Sequence, residues 1–234
     1  MKSILHKATS RGHSNFDWLT SYHSFSFGNY YNPERMHFGA LRVLNDDTVT
    51  QGMGFSKHPH DNMEIVSIPL YGDLHHKDST GRDEIIRQDD VQIMSAGSGI
   101  AHSETNANAD KEVKFLQLWI MPKEKNIEPR YQQKIFKPEN RINQIVTVVA
   151  PDDEQAVWIN QNAWLSLVNL SKDKSATYPV RKEGNGVYVF ILNGNATINE
   201  QPLESRDGLG IWETGSITIQ ADTDAEILLI EVPM

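Results

Sequence analysis

The chain has 234 residues, 38% of them hydrophobic and 23% charged, with a formal net charge of −9, so it is long enough to bury one large core or two smaller ones and lacks the composition of a disordered segment. No stripe of Lys or Arg interrupts the acidic balance, which excludes direct binding of nucleic acid through its phosphates. Cysteine is absent, which excludes a disulfide framework, a thiolate zinc site and a cysteine nucleophile; any metal must be held by His nitrogen and carboxylate oxygen.

In chain order, Met1 to Arg11 is polar and mixed in charge, with neither the apolar stretch of a signal peptide nor the pattern of a transit peptide. No later apolar run approaches the ~20 residues that cross a bilayer, so the expected location is the cytoplasm, with no membrane contact. His13, His23 and His37 share a segment with Trp18, Phe25, Phe27 and Phe38 and read as core packing or the cap of a pocket. Leu41 and Val43 alternate with Arg42, as Leu116, Leu118 and Ile120 do with Gln117 and Trp119, and Ile217 and Ile219 with Thr218; these are half-buried strands at period two. Turns are expected at Tyr71-Gly72-Asp73, Ser79-Thr80-Gly81, Asn193-Gly194 and Asp207-Gly208, where Gly, Asn or Asp tolerates positive φ. Many short strands between Gly-rich turns predict an all-β antiparallel sandwich or barrel.

Leu70 to Asp73 resembles Leu192 to Asn195, and Asp89 to Ser98 resembles Asp207 to Ser216, so one hairpin-then-strand unit occurs twice. Two barrels are therefore expected, 1–140 and 141–234, joined near Lys137-Pro138-Glu139-Asn140, a surface connection by composition.

All 9 histidines lie at or before His102, so only the first barrel can hold a histidine-bound metal. His58-Pro59-His60 sets two imidazoles at i and i+2, on one side of an extended strand, with Pro59 stiffening the backbone. His102-Ser103-Glu104 repeats the spacing after a Gly97-Ser98-Gly99 turn. Together they offer three nitrogens and one carboxylate oxygen. Glu64 is evenly spaced from His60 and is a further candidate, as a direct ligand, as a residue beside the ligands or as an acceptor of a substrate proton. His75-His76 adjoins a turn and reads as a solvated hairpin. Met53, Met63 and Met94 read as core filling or as the lining of an apolar pocket. Aligning the repeats sets His58 and His60 near Val180 and Lys182, and His102 and Glu104 on Gln220 and Asp222, so the second barrel is expected to hold no metal and to serve as a structural or regulatory lobe.

Gly52-x5-His58-x-His60-x3-Glu64-x7-Gly72 with Gly99-x2-His102 resembles the two cupin motifs. Arg11-Gly12-His13, Phe25-Ser26-Phe27, Tyr30-Tyr31-Asn32-Pro33, Phe38-Gly39-Ala40-Leu41-Arg42-Val43, Asn45-Asp46-Asp47 and Met94-Ser95-Ala96-Gly97 are similar to the bacterial branch of the pirin family. The resemblance implies a bicupin, two cupin-type antiparallel β-barrels, with one divalent metal on His58, His60, His102 and Glu104. It favours Fe(II), although Zn, Mn, Ni or Cu suits the same donors. It also implies a quercetin 2,3-dioxygenase-like oxidoreductase taking a small aromatic flavonol and O2, with Glu104 or Glu64 receiving the substrate proton. The alternative it implies is a metal-bound, redox-sensing regulator that acts through a protein partner.

Overall fold

The computed structural model describes residues 1–234 and is almost entirely strand. No helix is long and apolar enough to cross a membrane. Four sheets form two lobes of the same plan. In the first lobe the larger, seven-stranded sheet runs, in hydrogen-bonded order, Arg130–Ile135, Asp90–Ser95, Glu64–Tyr71, Val113–Ile120, Leu41–Val49, Leu19–His23 and Gly12–Phe16. The smaller, four-stranded sheet runs Gly54–His60, Ile100–Asn106, Leu74–Asp78 and Asp83–Ile86. The second lobe repeats this: Lys2–His6, Gly208–Trp212, Asn185–Asn193, Ala225–Pro233, Trp164–Leu170, Val146–Ala150 and Val157–Trp158 form the larger sheet. Ser175–Pro179, Ser216–Ala221, Ala196–Ile198 and Gln201–Leu203 form the smaller one. This is the bicupin architecture, two antiparallel barrels.

Strand alternation sorts each larger sheet into two apolar faces. One face closes its own barrel. The other meets its counterpart in the opposite lobe: Leu44, Val66 and Leu118 pack with Leu165, Phe190 and Ile230 in one buried cluster of 25 residues. The lobes therefore share a core, and the second barrel covers apolar surface of the first.

The lobes are not cut from the chain at one point. Lys2–His6 pairs antiparallel with Gly208–Trp212, so the first strand completes the second barrel and corrects the expectation that 1–140 is one contiguous lobe. Its place at the edge of the first barrel is taken by Arg130–Ile135, paired with Asp90–Ser95. The short 3-10 turn Pro138–Arg141 follows. Of the expected turns, Gly72, Gly81 and Gly194 have φ of 72°, 93° and 76°. Asp207-Gly208 differs: the positive φ of 69° falls on Arg206, while Gly208 lies in a strand with the Tyr188 ring where a Cβ would be.

Candidate metal centre

The first barrel's smaller sheet brings the two His-bearing strands together. Gly54–His60 and Ile100–Asn106 are antiparallel, with His102 opposite His58 and Ile100 opposite His60. A Cβ on Gly54 would lie 2.2 Å from the carbonyl oxygen of Glu104, so a residue without a side chain is needed for the strands to approach this closely. The register shifts between His102 and Glu104, a bulge of the kind that re-aims side chains. Burial alternates along Ile100–Asn106, with His102 and Glu104 both turned inward.

His58, His60 and His102 each present a ligand nitrogen within 4.8 Å of the other two, and their ring centroids are 4.6 to 4.9 Å apart. The hydrogen-bond network assigns the tautomers. His58 Nδ1 donates to the Ser56 carbonyl at 2.8 Å, leaving its Nε2 lone pair free. His102 Nε2 is buried and has no hydrogen-bond partner. An orphaned imidazole nitrogen beside two further imidazoles fits a divalent cation, which would accept all three lone pairs. Burial, with the neighbouring His58 and His76, brings His102 down to about 3. Burial, with His102 and His58, brings His60 down to about 4. Both rings are neutral at ordinary pH, the form that coordinates.

Glu104 is 2% exposed and carries two donors, Ser67 Oγ at 3.2 Å and Gln117 Nε2 at 2.6 Å. Its carboxylate groups with His102 and His76 within 4.8 Å, so two triads overlap at His102. His76 is a departure from the solvated hairpin expected for His75-His76. Its side chain is fully buried, with Nε2 2.9 Å from Asp78 Oδ2 and Nδ1 3.4 Å from His102 Nδ1. His75 alone keeps the expected character, partly exposed and bonded to Asp83 at 2.6 Å. The reason is alternation: Leu74, His76 and Asp78 face the barrel interior, His75 and Lys77 the outside.

Glu64 also departs from expectation, because it does not face the histidines. On Glu64–Tyr71 it shares a face with Val66 and Ile68, which lie in the core between the lobes, whereas Ser67, on the opposite face, reaches Glu104. Glu64 Oε2 accepts from Ser95 Oγ at 2.7 Å and from the Asn160 amide of the second lobe at 3.1 Å. Burial raises its pKa above the usual carboxylate range.

His58, His60 and Glu104 open onto a cavity of about 370 Å3 whose walls include Trp18, Phe55 and Trp119. Trp119 stands edge-on to His60, 5.0 Å between centroids, and its Nε1 donates to Gln117 Oε1 at 3.3 Å. The cavity also holds two buried polar groups that spacing did not single out as chemistry. Asp47, held by Ser21 Oγ, is pushed up by burial to about 7. His23, bonded to Asn45 at 2.9 Å, is lowered by burial and caps the pocket as its aromatic segment suggested. His13 stacks on Tyr22 and His37 bonds the Gly39 carbonyl. Met94 fills a core cluster, Met63 packs against it, and Met53 is exposed. A wider cleft of about 940 Å3 between the lobes contains Arg130 and Trp158 but no histidine.

The repeat's register is shifted from the sequence alignment. The second barrel's smaller sheet sets Ile219 against Ala176 on one side and Ile198 on the other, and Ile217 against Tyr178. The counterparts of His58, His60, His102 and Glu104 are therefore Ala176, Tyr178, Ile219 and Ala221, not Val180, Lys182, Gln220 and Asp222. The offset is one residue for the counterparts of His102 and Glu104, which moves the side chains to the strand's other face, and four residues for those of His58 and His60; it is the inward, apolar set that corresponds.

Comparison with known proteins identifies the family. Residues 5–120 match the family model described as Pirin, and residues 147–232 match the one described as Quercetinase C-terminal cupin domain. The chain is 42% identical over 230 residues to quercetin 2,3-dioxygenase of Escherichia coli strain K12, covering 98% of each chain. It is 37% identical to a pirin-like protein of Caulobacter vibrioides, covering 94% of this chain and 95% of that one. The crystal structure of a bacterial pirin from Escherichia coli in complex with nickel(II) superposes with a TM-score of 0.94 at 40% identity, covering 99% of both chains. With its two cupin barrels and its full-length likeness to these proteins, the chain belongs to the pirin family.

Proposed function

We propose that this chain is a metal-dependent dioxygenase of the quercetin 2,3-dioxygenase type, acting on a flavonol in the cytoplasm. The observation that carries the reading is the buried, unpartnered Nε2 of His102 beside His58 and His60, the latter two lining an aromatic-walled cavity of about 370 Å3. His58, His60 and His102 would hold the metal, with Glu104 as fourth ligand; Fe(II) is our choice, and the nickel in the related bacterial pirin makes Ni(II) the practical probe. The bound ion would supply Lewis acidity that makes a hydroxyl beside a ketone easier to deprotonate.

The protein's own groups do the rest. Trp18, Phe55 and Trp119 give a flat polyphenol apolar faces to lie against and exclude water from it. Glu104 receives the hydroxyl proton, and Ser67 and Gln117 hold its carboxylate in place for that step. Asp47, buried on the same cavity wall, can hold a second proton near neutral pH. Both atoms of O2 enter the product as the heterocycle opens, and one ring carbon leaves as carbon monoxide.

The test uses metal-loaded protein and quercetin, in air and under nitrogen. The flavonol absorption band is expected to disappear only in air, with carbon monoxide released, and to persist in His102→Ala or after chelation. A flavone lacking the neighbouring hydroxyl is expected to be inert. Intact flavonol with fully loaded wild-type protein in air would sink the enzyme reading and leave the regulatory one.

A further inference from the structure

We infer that His76, anchored by Asp78, is a positioning residue for His102: it accepts the Nδ1–H of His102 and so directs the Nε2 lone pair of that ring toward His58 and His60. The inference rests on the ligand assignment above but not on the flavonol reaction.

The chain of hydrogen bonds has one consistent direction. Asp78 Oδ1 accepts from the Thr80 amide at 2.8 Å, Thr80 Oγ1 at 2.6 Å and the Arg82 amide at 3.3 Å. Its Oδ2 lies 2.9 Å from His76 Nε2. A carboxylate only accepts, so His76 Nε2 carries a hydrogen, which in a ring with a single N–H puts the lone pair on Nδ1. The atom facing that lone pair is His102 Nδ1, 3.4 Å away, which must therefore donate. His102 Nε2 is then the unprotonated nitrogen, and it is the one left buried without a partner. The contact is long for a hydrogen bond, as such bonds often are before a site is filled.

The supporting residues are fixed. The side chains of His76 and Asp78 are both 0% exposed, the Tyr131 ring packs 5.0 Å from His76, and Arg82 stacks on Tyr131 at 5.7 Å. The backbone explains why the pair meets the ligands: Leu74–Asp78 lies beside Ile100–Asn106 with Asp78 opposite His102 and His76 opposite Glu104. In the second barrel the same register positions are Ile198 and Ala196, so the supporting pair is missing where the ligands are missing. The competing role, His76 itself as a ligand through Nδ1 in a triad with His102 and Glu104, would require the hydrogen of His102 to sit on Nε2, where it has no acceptor.

The experiment is a Ni(II) titration against a competing chelator, with near-ultraviolet circular dichroism to confirm folding. His76→Phe removes the acceptor and is expected to weaken Ni(II) binding about 10–100-fold, the usual cost of losing a ligand's outer hydrogen-bond partner. His76→Gln keeps a carbonyl oxygen that can accept from His102 and is expected to stay within about threefold of wild type, well short of that cost. Imidazole 15N spectra of the metal-free wild-type protein are expected to show the hydrogen on Nδ1 of His102 and on Nε2 of His76; they decide the matter even where His76→Phe fails to fold. Wild-type affinity in folded His76→Phe, equal losses in the Gln and Phe variants, or the opposite tautomers would each overturn the inference. A wild-type protein that binds no Ni(II) defeats the ligand assignment, and the tautomer spectra are read independently of that result.

Discussion

The two smaller sheets have the same strand order and corresponding registers, yet their interiors are opposites. In the first, the inward positions around the candidate site are His58, His60, His76, Asp78, His102 and Glu104. In the second they are Ala176, Tyr178, Ala196, Ile198, Ile219 and Ala221, of which all but Ala176 belong to an apolar core of 17 buried residues. The backbone plan therefore does not require a metal centre. A barrel of this kind can be closed by packing alone, and the first one forgoes much of that packing for buried polar groups that must be paired to be tolerated. The first barrel meets that condition with the Asp78–His76–His102 chain and the Ser67 and Gln117 bonds to Glu104, leaving the buried Nε2 of His102, beside His58 and His60, without a partner.

The largest effect that would test this contrast is on metal affinity. His102→Ala removes a proposed ligand and is expected to weaken Ni(II) binding by more than the roughly 10–100-fold that an outer partner costs. Ile219→Ala, at the matching position, is expected to act on stability instead: a loss of about 2–5 kcal/mol in urea unfolding, as for other buried Ile truncations, with Ni(II) affinity unchanged. Two variants that shifted both measurements equally would show that the barrels are not specialised in this way.

The sequence made one part of this contrast legible and hid another. HxH and HxE could be read because a two-residue spacing on a strand means one face, and the lack of histidine after His102 confined any histidine-bound metal to the first barrel. His76-x-Asp78 has the same spacing, and that signal was available, but a His-His pair next to an Asp-Ser-Thr-Gly turn has the composition of a solvated hairpin. Gln117 and Ser67 carry no such signal, because their role depends on which strands cross the barrel from Glu104. The pairing of Lys2–His6 with Gly208–Trp212 is also a contact distant in sequence, which period and composition do not encode.

That borrowed strand supplies the next test. His6 is 5% exposed, packed against Phe25 and Tyr188, with Nδ1 3.0 Å from the Tyr188 hydroxyl and Nε2 unpartnered. Burial, then the nearby Arg35, lowers its pKa from 6.5 to about 4. Between those values the unfolded chain binds the proton and the folded one does not, so stability is full above about 6.5 and falls as pH drops toward 4, by about 3 kcal/mol for this one group. His6→Gln is expected to flatten that slope in denaturant melts between pH 7 and 4.5 by about one bound proton. Burial lowers His60 and His102 in the same direction, so the metal-free first barrel has the same sensitivity. The barrels should separate on adding Ni(II), which competes with protons at His60 and His102 but not at His6. If Ni(II) left the acid sensitivity of His6→Gln unchanged, those two rings would not be the ligands.

The smallest expected effect belongs to Glu64, and it distinguishes the face of a strand from its place in a motif. Glu64 lies four residues after His60, the spacing that made it a candidate, yet it points into the contact between the lobes, bonded to Ser95 and Asn160, with its other oxygen buried and unpartnered. Glu64→Gln retains one oxygen for both donors and replaces an unsatisfied oxygen with an unsatisfied amide, so stability near pH 7 should change by no more than about 1 kcal/mol, the scale of a single net hydrogen bond. Ni(II) affinity should be unchanged within twofold. Glu104→Gln keeps the shape but removes a charge from the metal's side of the barrel, and should weaken Ni(II) clearly. The pH response gives a further check. Burial raises the pKa of Glu64 above its ordinary 4.5, so its contribution is full below that value and is lost as pH rises through the folded value; the Gln variant should lack this loss. If instead Glu64→Gln lowered Ni(II) affinity as much as Glu104→Gln did, the inner face of Glu64–Tyr71 would have to be reassigned, and with it the separation of metal site from lobe contact.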